Sequence, residues 1–218
     1  MPDLLPLFVN LTGRAVVLVG GGRVAAGKLQ QLLAAGARVR VVSPEIDDAI
    51  VAASQRQEAS EATPSVPDTL QTVTIERRGF VPTDLDNSWL VVAAATREVN
   101  REVAAAAEAR HVFVNAVDDP PNASAFLSGV IRRDGVTIAI STDGAAPALT
   151  ALLREGLDAL LPRNLDAWMQ TARAERTVWR RDAVPMDERK PRLLRALNTL
   201  HERSPEVPWL HSPEDSWL

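Results

Sequence analysis

"LVGGGRVAAGK", residues 18–28, sets three successive glycines between an apolar run and a helix-forming stretch. The run that leads into it, "AVVLV" (15–19), is short, apolar and β-branched, which predicts a buried parallel strand. After the glycines, Ala25, Leu29, Leu32 and Leu33 recur at helical spacing through residues 24–35, and Gly36 supplies a stop. "ARVRVVS" (37–43) predicts a second strand with Val39 and Val41 on one face. Residues 15–43 therefore read as a βαβ unit with a right-handed crossover.

The same alternation continues outward. Residues 43–69 open as a short helix and end in a Ser/Thr/Pro/Glu-rich loop with little to bury. "QTVTIERR" (71–78) alternates like a strand, "WLVVAAAT" (89–96) is another buried run, "NREVAAAAEAR" (100–110) is a strong helix former, and "HVFVNAV" (111–117) is a further strand. Strands alternating with helices predict an α/β protein, with a Rossmann-like doubly wound parallel sheet over residues 1–117. After Asp118 the pattern changes. "DDPPNAS" (118–124) is a turn-rich break, and "VTIAIS" (136–141) is a strand. From Pro147 three helices are expected: one carrying Leu149, Leu152, Leu153, Leu157, Leu160 and Leu161, one carrying Leu165, Trp168, Met169 and Trp179, and one carrying Leu193, Leu194, Leu197 and Leu200. The two tryptophans and Met169 read as core. The ending "SPEVPWLHSPEDSWL" (204–218) reads as extended. The domain boundaries expected are 1–117, 118–146 and 147–218.

Composition narrows the chemistry. A net charge of −4 argues against non-specific binding to DNA or RNA. The absence of cysteine excludes disulfides, thiolate catalysis, iron–sulfur ligation and Cys-based zinc sites. The three histidines, His111, His201 and His211, have no ligand spacing, so no resident metal is expected. No apolar run approaches the length of a membrane span, and "MPDLLPLFVNLTGR" is not a signal peptide, which fits a cytoplasmic protein.

"GGGRVA" (20–25) fits G-x-G-x-x-A, a variant of the dinucleotide-binding fingerprint, and lies between a strand and a helix as that fingerprint requires. Gly20 allows the tight turn out of the strand, Gly22 lets backbone approach a pyrophosphate, and Ala25 lets the helix pack close to the sheet. Gly21, Arg23 and Val24 complete this cofactor-binding set. The helix amino terminus adds unpaired N–H groups and partial positive charge. Past the second strand, Pro44 and Glu45 lie where an acid binds ribose hydroxyls, which favours NAD; Arg38 and Arg40 pull toward NADP. The competing reading is a tight turn and nothing more.

The chain resembles a known family. "LPLFVNLTGRAVVLVGGGRVAAGKLQQLLAAGARVRVVSPE" (5–45) is similar to the opening of precorrin-2 dehydrogenases, the NAD-dependent domain of siroheme synthases. "VFVNAVDDP" (112–120) and "TIAISTDGAAPALTALLREGLDALLP" (137–162) resemble two later signatures of that family, in the same order. The resemblance covers about residues 1–162. It implies oxidation of precorrin-2 to sirohydrochlorin by NAD, with insertion of ferrous iron as a further activity in some members. It also implies a homodimer built on the central segment and a helical carboxy-terminal domain. Too little chain follows the expected helices for an attached methyltransferase domain, so none is expected. Asp118 matches the family's functional aspartate. Read from the residues alone, Asp118 follows a strand at the carboxyl edge where such sheets place ligands, or else it and Asp119 merely start a turn. Asn115 matches the same motif, with a turn or capping role as the alternative. Ser141 and Thr142 match a polar pair that would meet a substrate carboxylate, or else cap the long helix. A tetrapyrrole rich in carboxylates calls for cations. Arg101, Arg132, Arg133 and Arg154 are candidates, although an arginine of this kind is more often a solvated surface charge and none of the four stands above that reading. The chain departs from the family pattern at Gly27, in 93–100, in 143–147 and after the aspartate. Those departures keep two alternatives open: a non-catalytic NAD-sensing or regulatory module, and an oxidoreductase for another substrate.

Overall fold

A computed structural model describes residues 4–61 and 72–203. The expected ending (204–218), with His211, and the latter part of the expected loop in 43–69 lie outside the described residues. The described chain divides into two compact units: residues up to 127 together with 143–146, and residues 128–142 together with the chain from 147 onward.

The first unit is a five-stranded parallel sheet. In chain order its elements are β1 (Ala15–Val19), α1 (Arg23–Ala34), β2 (Arg38–Val42), α2 (Asp48–Glu61), β3 (Val73–Glu76), β4 (Leu90–Ala93), α3 (Arg97–Glu108) and β5 (Phe113–Ala116). The strand order is β3-β2-β1-β4-β5. The chain therefore winds one way from β1 to β3, then crosses back to lay β4 on the other side of β1. Ligands of such sheets bind at the carboxyl ends of the strands, where the winding reverses.

Burial on both faces explains why β1 and β4 are nearly uninterrupted apolar runs. On one face Val16, Leu18, Val39, Val41 and Val92 pack under Ala25, Leu29 and Leu32 of α1 and Ile50 and Ala53 of α2. On the other, Val17, Val19, Val42, Val91 and Ala93 pack with Val103 and Ala107 of α3 and with Leu85 from a 3₁₀ turn at Pro82–Leu85. α1 stops where expected: Gly36 takes φ +80°.

Three expectations need correcting. The short helix after Pro44 runs for 14 residues as α2. The Asp47 carboxylate accepts from the Ala49 N–H at 2.9 Å, and Ile50 and Ala53 are buried. The helix expected from residue 100 begins at Arg97, because Thr96 takes the cap position and its hydroxyl accepts from the Val99 N–H. A strand that the sequence reading passed over, β6 (Gly129–Arg133), pairs antiparallel with β7 (Val136–Ile140) through a turn at Asp134 and Gly135, both left-handed.

This hairpin opens the second unit, which continues with α4 (Pro147–Leu160), α5 (Leu165–Arg181) and α6 (Met186–Arg203). The guanidinium of Arg133 donates to the Asp158 carboxylate at 2.6 Å and to the Leu161 carbonyl at 3.3 Å, tying β6 to α4. Trp179 is buried with Leu165, Val184 and Leu197, as a core residue should be; Trp168 and Met169 are half-buried.

The crossover that reverses the winding is pinned by one carboxylate. Asp84 accepts from both terminal guanidinium nitrogens of Arg78 (2.6 and 2.8 Å) and from the Val81 N–H (2.9 Å), with the side chain almost fully buried. Burial pushes this carboxyl up, but the Arg78 and Val81 bonds and the Arg78 and Arg40 charges outweigh it and hold it below the ordinary carboxylate range. A depressed carboxylate contributes stability above its unfolded-state pKa, and that contribution is lost as pH falls through the folded value. Asp84→Asn should therefore lower Tm by roughly 3–8 °C at neutral pH. In thermal melts taken down to about pH 2, its gap to the wild type should close.

Candidate functional site

The glycine turn sits where β1, β2 and β4 deliver their carboxyl ends. Gly20 has φ +117°, and a β-carbon there would lie 2.2 Å from the Ala94 carbonyl oxygen. A β-carbon on Gly21 would lie 1.9 Å from the Glu45 carbonyl oxygen. Backbone bonds hold the same approach: the Gly20 N–H donates to Val42 at 3.0 Å, and the Asp47 N–H donates to Gly21 at 2.7 Å. Gly22 differs. It is the extended residue before α1, and a β-carbon on it would meet no described atom within 4 Å. Two of the glycines are thus explained by packing inside the protein, and the third is not. What Gly22 leaves clear is the approach to the first N–H groups of α1, which suits a pyrophosphate.

Beside this turn lies a cleft of about 200 Å³, lined by Val24, Ala94, Ala95, Arg97, Asn100, Val117, Asp118 and Asp119. The turn and Asp118 therefore share a site, through Val24 on α1 and Ala94 after β4. Asp118 is exposed and has φ +56°, a left-handed conformation that aspartate tolerates better than most residues. Its neighbours are anchored: the Val117 N–H donates to Ala93 at 2.9 Å, and the Asn122 amide donates to the Asp119 carboxylate at 2.8 Å. Asp119 serves the turn, while Asp118 is left facing the solvent.

Residues 7–129 match a family model described as putative NAD(P)-binding. The chain belongs to that NAD(P)-binding family. Residues 133–160 match a second model, described as sirohaem biosynthesis protein central. The chain is 42% identical over 166 residues to siroheme synthase 1 of Aeromonas salmonicida, and 41% identical over 171 residues to a siroheme synthase of Photorhabdus laumondii. These alignments cover 76% and 78% of this chain and 32% and 33% of the relatives, so the chain spans about a third of the length of the curated relatives it matches. A solved structure titled "SirC, precorrin-2 dehydrogenase" shares the fold with a TM-score of 0.64 at 22% identity, covering 92% of this chain and 96% of that one.

In this NAD(P)-binding unit the anticipated cofactor residues gather at one edge. Arg23 and Val24 form the first turn of α1, and Pro44 and Glu45 follow β2 on the surface, with the Glu45 backbone against Gly21. Arg38 and Arg40 lie elsewhere. Arg38 pairs with Ala15 at the amino end of the sheet, and Arg40 with Val17 at the middle of its strand.

Asn115 is buried within β5 rather than in a turn, and its amide donates to the Ala125 carbonyl at 2.9 Å. Ser141 and Thr142 belong to the second unit, after β7. Thr142 reaches α4 (Pro147–Leu160) through the Thr150 hydroxyl at 2.9 Å. Of the proposed cations, Arg133 is committed to Asp158 and Arg154 pairs with Glu155, while Arg101 and Arg132 are exposed.

Two cleft residues escaped the sequence reading. Arg97 opens α3, and Asn100, nearly fully buried, accepts from the Ala95 N–H at 3.1 Å and so fixes the loop after β4. A buried asparagine on the inner face of an amphipathic helix was the available signal.

The glycines offer a direct test of turn against phosphate site. Gly20→Ala and Gly21→Ala should both destabilise the fold. Gly22→Ala should keep Tm within about 2 °C yet weaken binding of the nicotinamide dinucleotide, NAD or NADP, by roughly tenfold or more, measured by calorimetry. Unchanged affinity would reduce Gly22 to a turn residue.

Proposed function

We propose that the protein is an NAD-dependent precorrin-2 dehydrogenase of siroheme biosynthesis. The observation that carries this reading is the exposed, left-handed Asp118 on the same cleft as the glycine turn and the amino end of α1. Similarity to siroheme synthases and the fold of a precorrin-2 dehydrogenase support the choice of substrate.

The reaction removes two hydrogens: precorrin-2 and NAD⁺ give sirohydrochlorin, NADH and a proton. NAD supplies the two-electron acceptor, taking one hydrogen with its electron pair. The backbone at Gly22 and the first N–H groups of α1 hold the pyrophosphate. Glu45 receives the ribose hydroxyls, and the distance of Arg38 and Arg40 from that edge favours NAD over NADP. Asp118 takes the second hydrogen as a proton and releases it to solvent. Where the same macrocycle accepts ferrous iron as a second substrate, Asp118 is also placed to take the pyrrole protons that the metal displaces. Asn115, through Ala125, sets the loop after Asp118. Ser141 and Thr142 are assigned to substrate carboxylates.

The domain scheme that goes with this reading keeps residues 1–117 for the cofactor, 118–146 for dimerisation and 147–218 as the helical part. The working form is a homodimer in the cytoplasm. Among the described residues, no helix is long and apolar enough to cross a membrane. Light scattering should give twice the chain mass.

Purified protein given precorrin-2 and NAD should produce NADH absorbance and the sirohydrochlorin spectrum together. Asp118→Asn should lower kcat by about 10²–10⁴-fold while leaving NAD affinity unchanged. NAD binding without turnover would mark a sensor instead. Turnover undiminished in Asp118→Asn would remove the aspartate from the mechanism.

A further inference from the structure

The Asp118 cleft has a cation beside it that the mechanism above leaves unused. Lys28 stands on α1 four residues after Val24, so the two side chains lie one above the other on one flank of the helix. Val24 lines the cleft. Ala25, Leu29 and Leu32 point into the sheet, and Ala26 and Leu33 occupy the opposite flank. Lys28 therefore projects from the side of α1 that faces the end of β5.

Its surroundings are unusual for a lysine. The side chain is half-buried, and it makes no hydrogen bond or ion pair with any described residue. Burial pushes its ammonium below the ordinary lysine range, and the Asp118 charge only partly restores it. Asp118 is the negative charge felt at this ammonium, and it does not offset the cost of burial.

A second polar group on the same side of the sheet is also short of a partner. Asn115 pairs in register with Val92, whose side chain packs among those of α1, so Asn115 faces α1 as well. It is 7% exposed, and its Oδ1 has no hydrogen-bond partner among the described residues. Val117, two residues on, packs against the same cluster. A half-buried donor without an acceptor and a buried acceptor without a donor thus share the wall that leads to Asp118. An ammonium carries three N–H donors, enough to bond the Asn115 oxygen and still hold an anion.

Resting on the reading of the substrate as a carboxylate-rich tetrapyrrole, we propose that Lys28 is a substrate-binding residue, whose ammonium takes a side-chain carboxylate of the macrocycle and so holds the ring beside Asp118. The recognition is charge-assisted hydrogen bonding at a site shielded on one side from water, where it is stronger than on an open surface.

The test uses the full chain with Lys28→Met, which keeps the length of the side chain and the helix propensity, and Lys28→Arg, which keeps the charge. Sirohydrochlorin binding is followed by its visible absorbance, NAD binding by calorimetry, and turnover of precorrin-2 by NADH formation. Lys28→Met should weaken sirohydrochlorin binding by about tenfold or more and raise KM for precorrin-2 more than it lowers kcat, with NAD affinity unchanged. Lys28→Arg should recover most of that loss. If wild type and Lys28→Met bind sirohydrochlorin equally, this inference falls and the dehydrogenase reading stands. If the wild type itself does not bind the macrocycle, both fall. Equal loss of NAD and sirohydrochlorin binding in Lys28→Met, or no recovery in Lys28→Arg, would make the lysine structural and overturn the proposal.

Discussion

Everything at the carboxyl edge of this sheet depends on how closely three stretches of backbone approach one another. The loop after β1 runs so near the segments that follow β2 and β4 that a single β-carbon at Gly20 or Gly21 would overlap a carbonyl oxygen. That contact fixes the start of α1, and with it the direction of the first free N–H groups. It also holds Ala94 against the turn, so the cleft reaching Asp118 begins where the glycines end. Replacing hydrogen by methyl at either position would push away the loop after β4, with Ala94, or the loop after β2, with Glu45.

Asp118 shows how local geometry leaves a functional group free. The strand before it is anchored by Val117 to Ala93, and the turn after it by Asp119 to Asn122. Between two fixed points the chain adopts a left-handed residue whose carboxylate makes no hydrogen bond or ion pair among the described residues. Strain of this kind is retained where the surrounding packing over-determines it. Here the surroundings include two buried asparagines, Asn100 lining the cleft and Asn115 within β5, each of which bonds the backbone of a neighbouring loop.

Much of this was legible in the residues, because buried strands and amphipathic helices announce themselves by period. β1, α1 and β2 match their expected positions to within a residue or two. Other features depended on partners distant in sequence. Gly21 looks interchangeable with its neighbours until the Glu45 carbonyl is found against it. α2 has weak periodicity, and its length rests on a cap at Asp47 together with burial of Ile50 and Ala53. β6 holds little apolar sequence, although Asp134-Gly135 was a hairpin signal that the reading passed over. Lys28 reads as one more surface lysine until the flank of α1 that faces β5 is known. What stayed hidden in each case was a neighbour, not a propensity.

The strand order has a consequence for how the chain assembles. β1 gains its first neighbour from β2 close by, but its second, β4, arrives only after α2, β3 and the 3₁₀ turn have intervened. Until then β1 is an exposed edge, with unpaired amides along an apolar strand that other chains can extend. Closing so long a loop before any pairing rewards it slows folding. On a ribosome, the nascent chain would carry that sticky border until β4 emerged, a window in which chaperones have reason to bind.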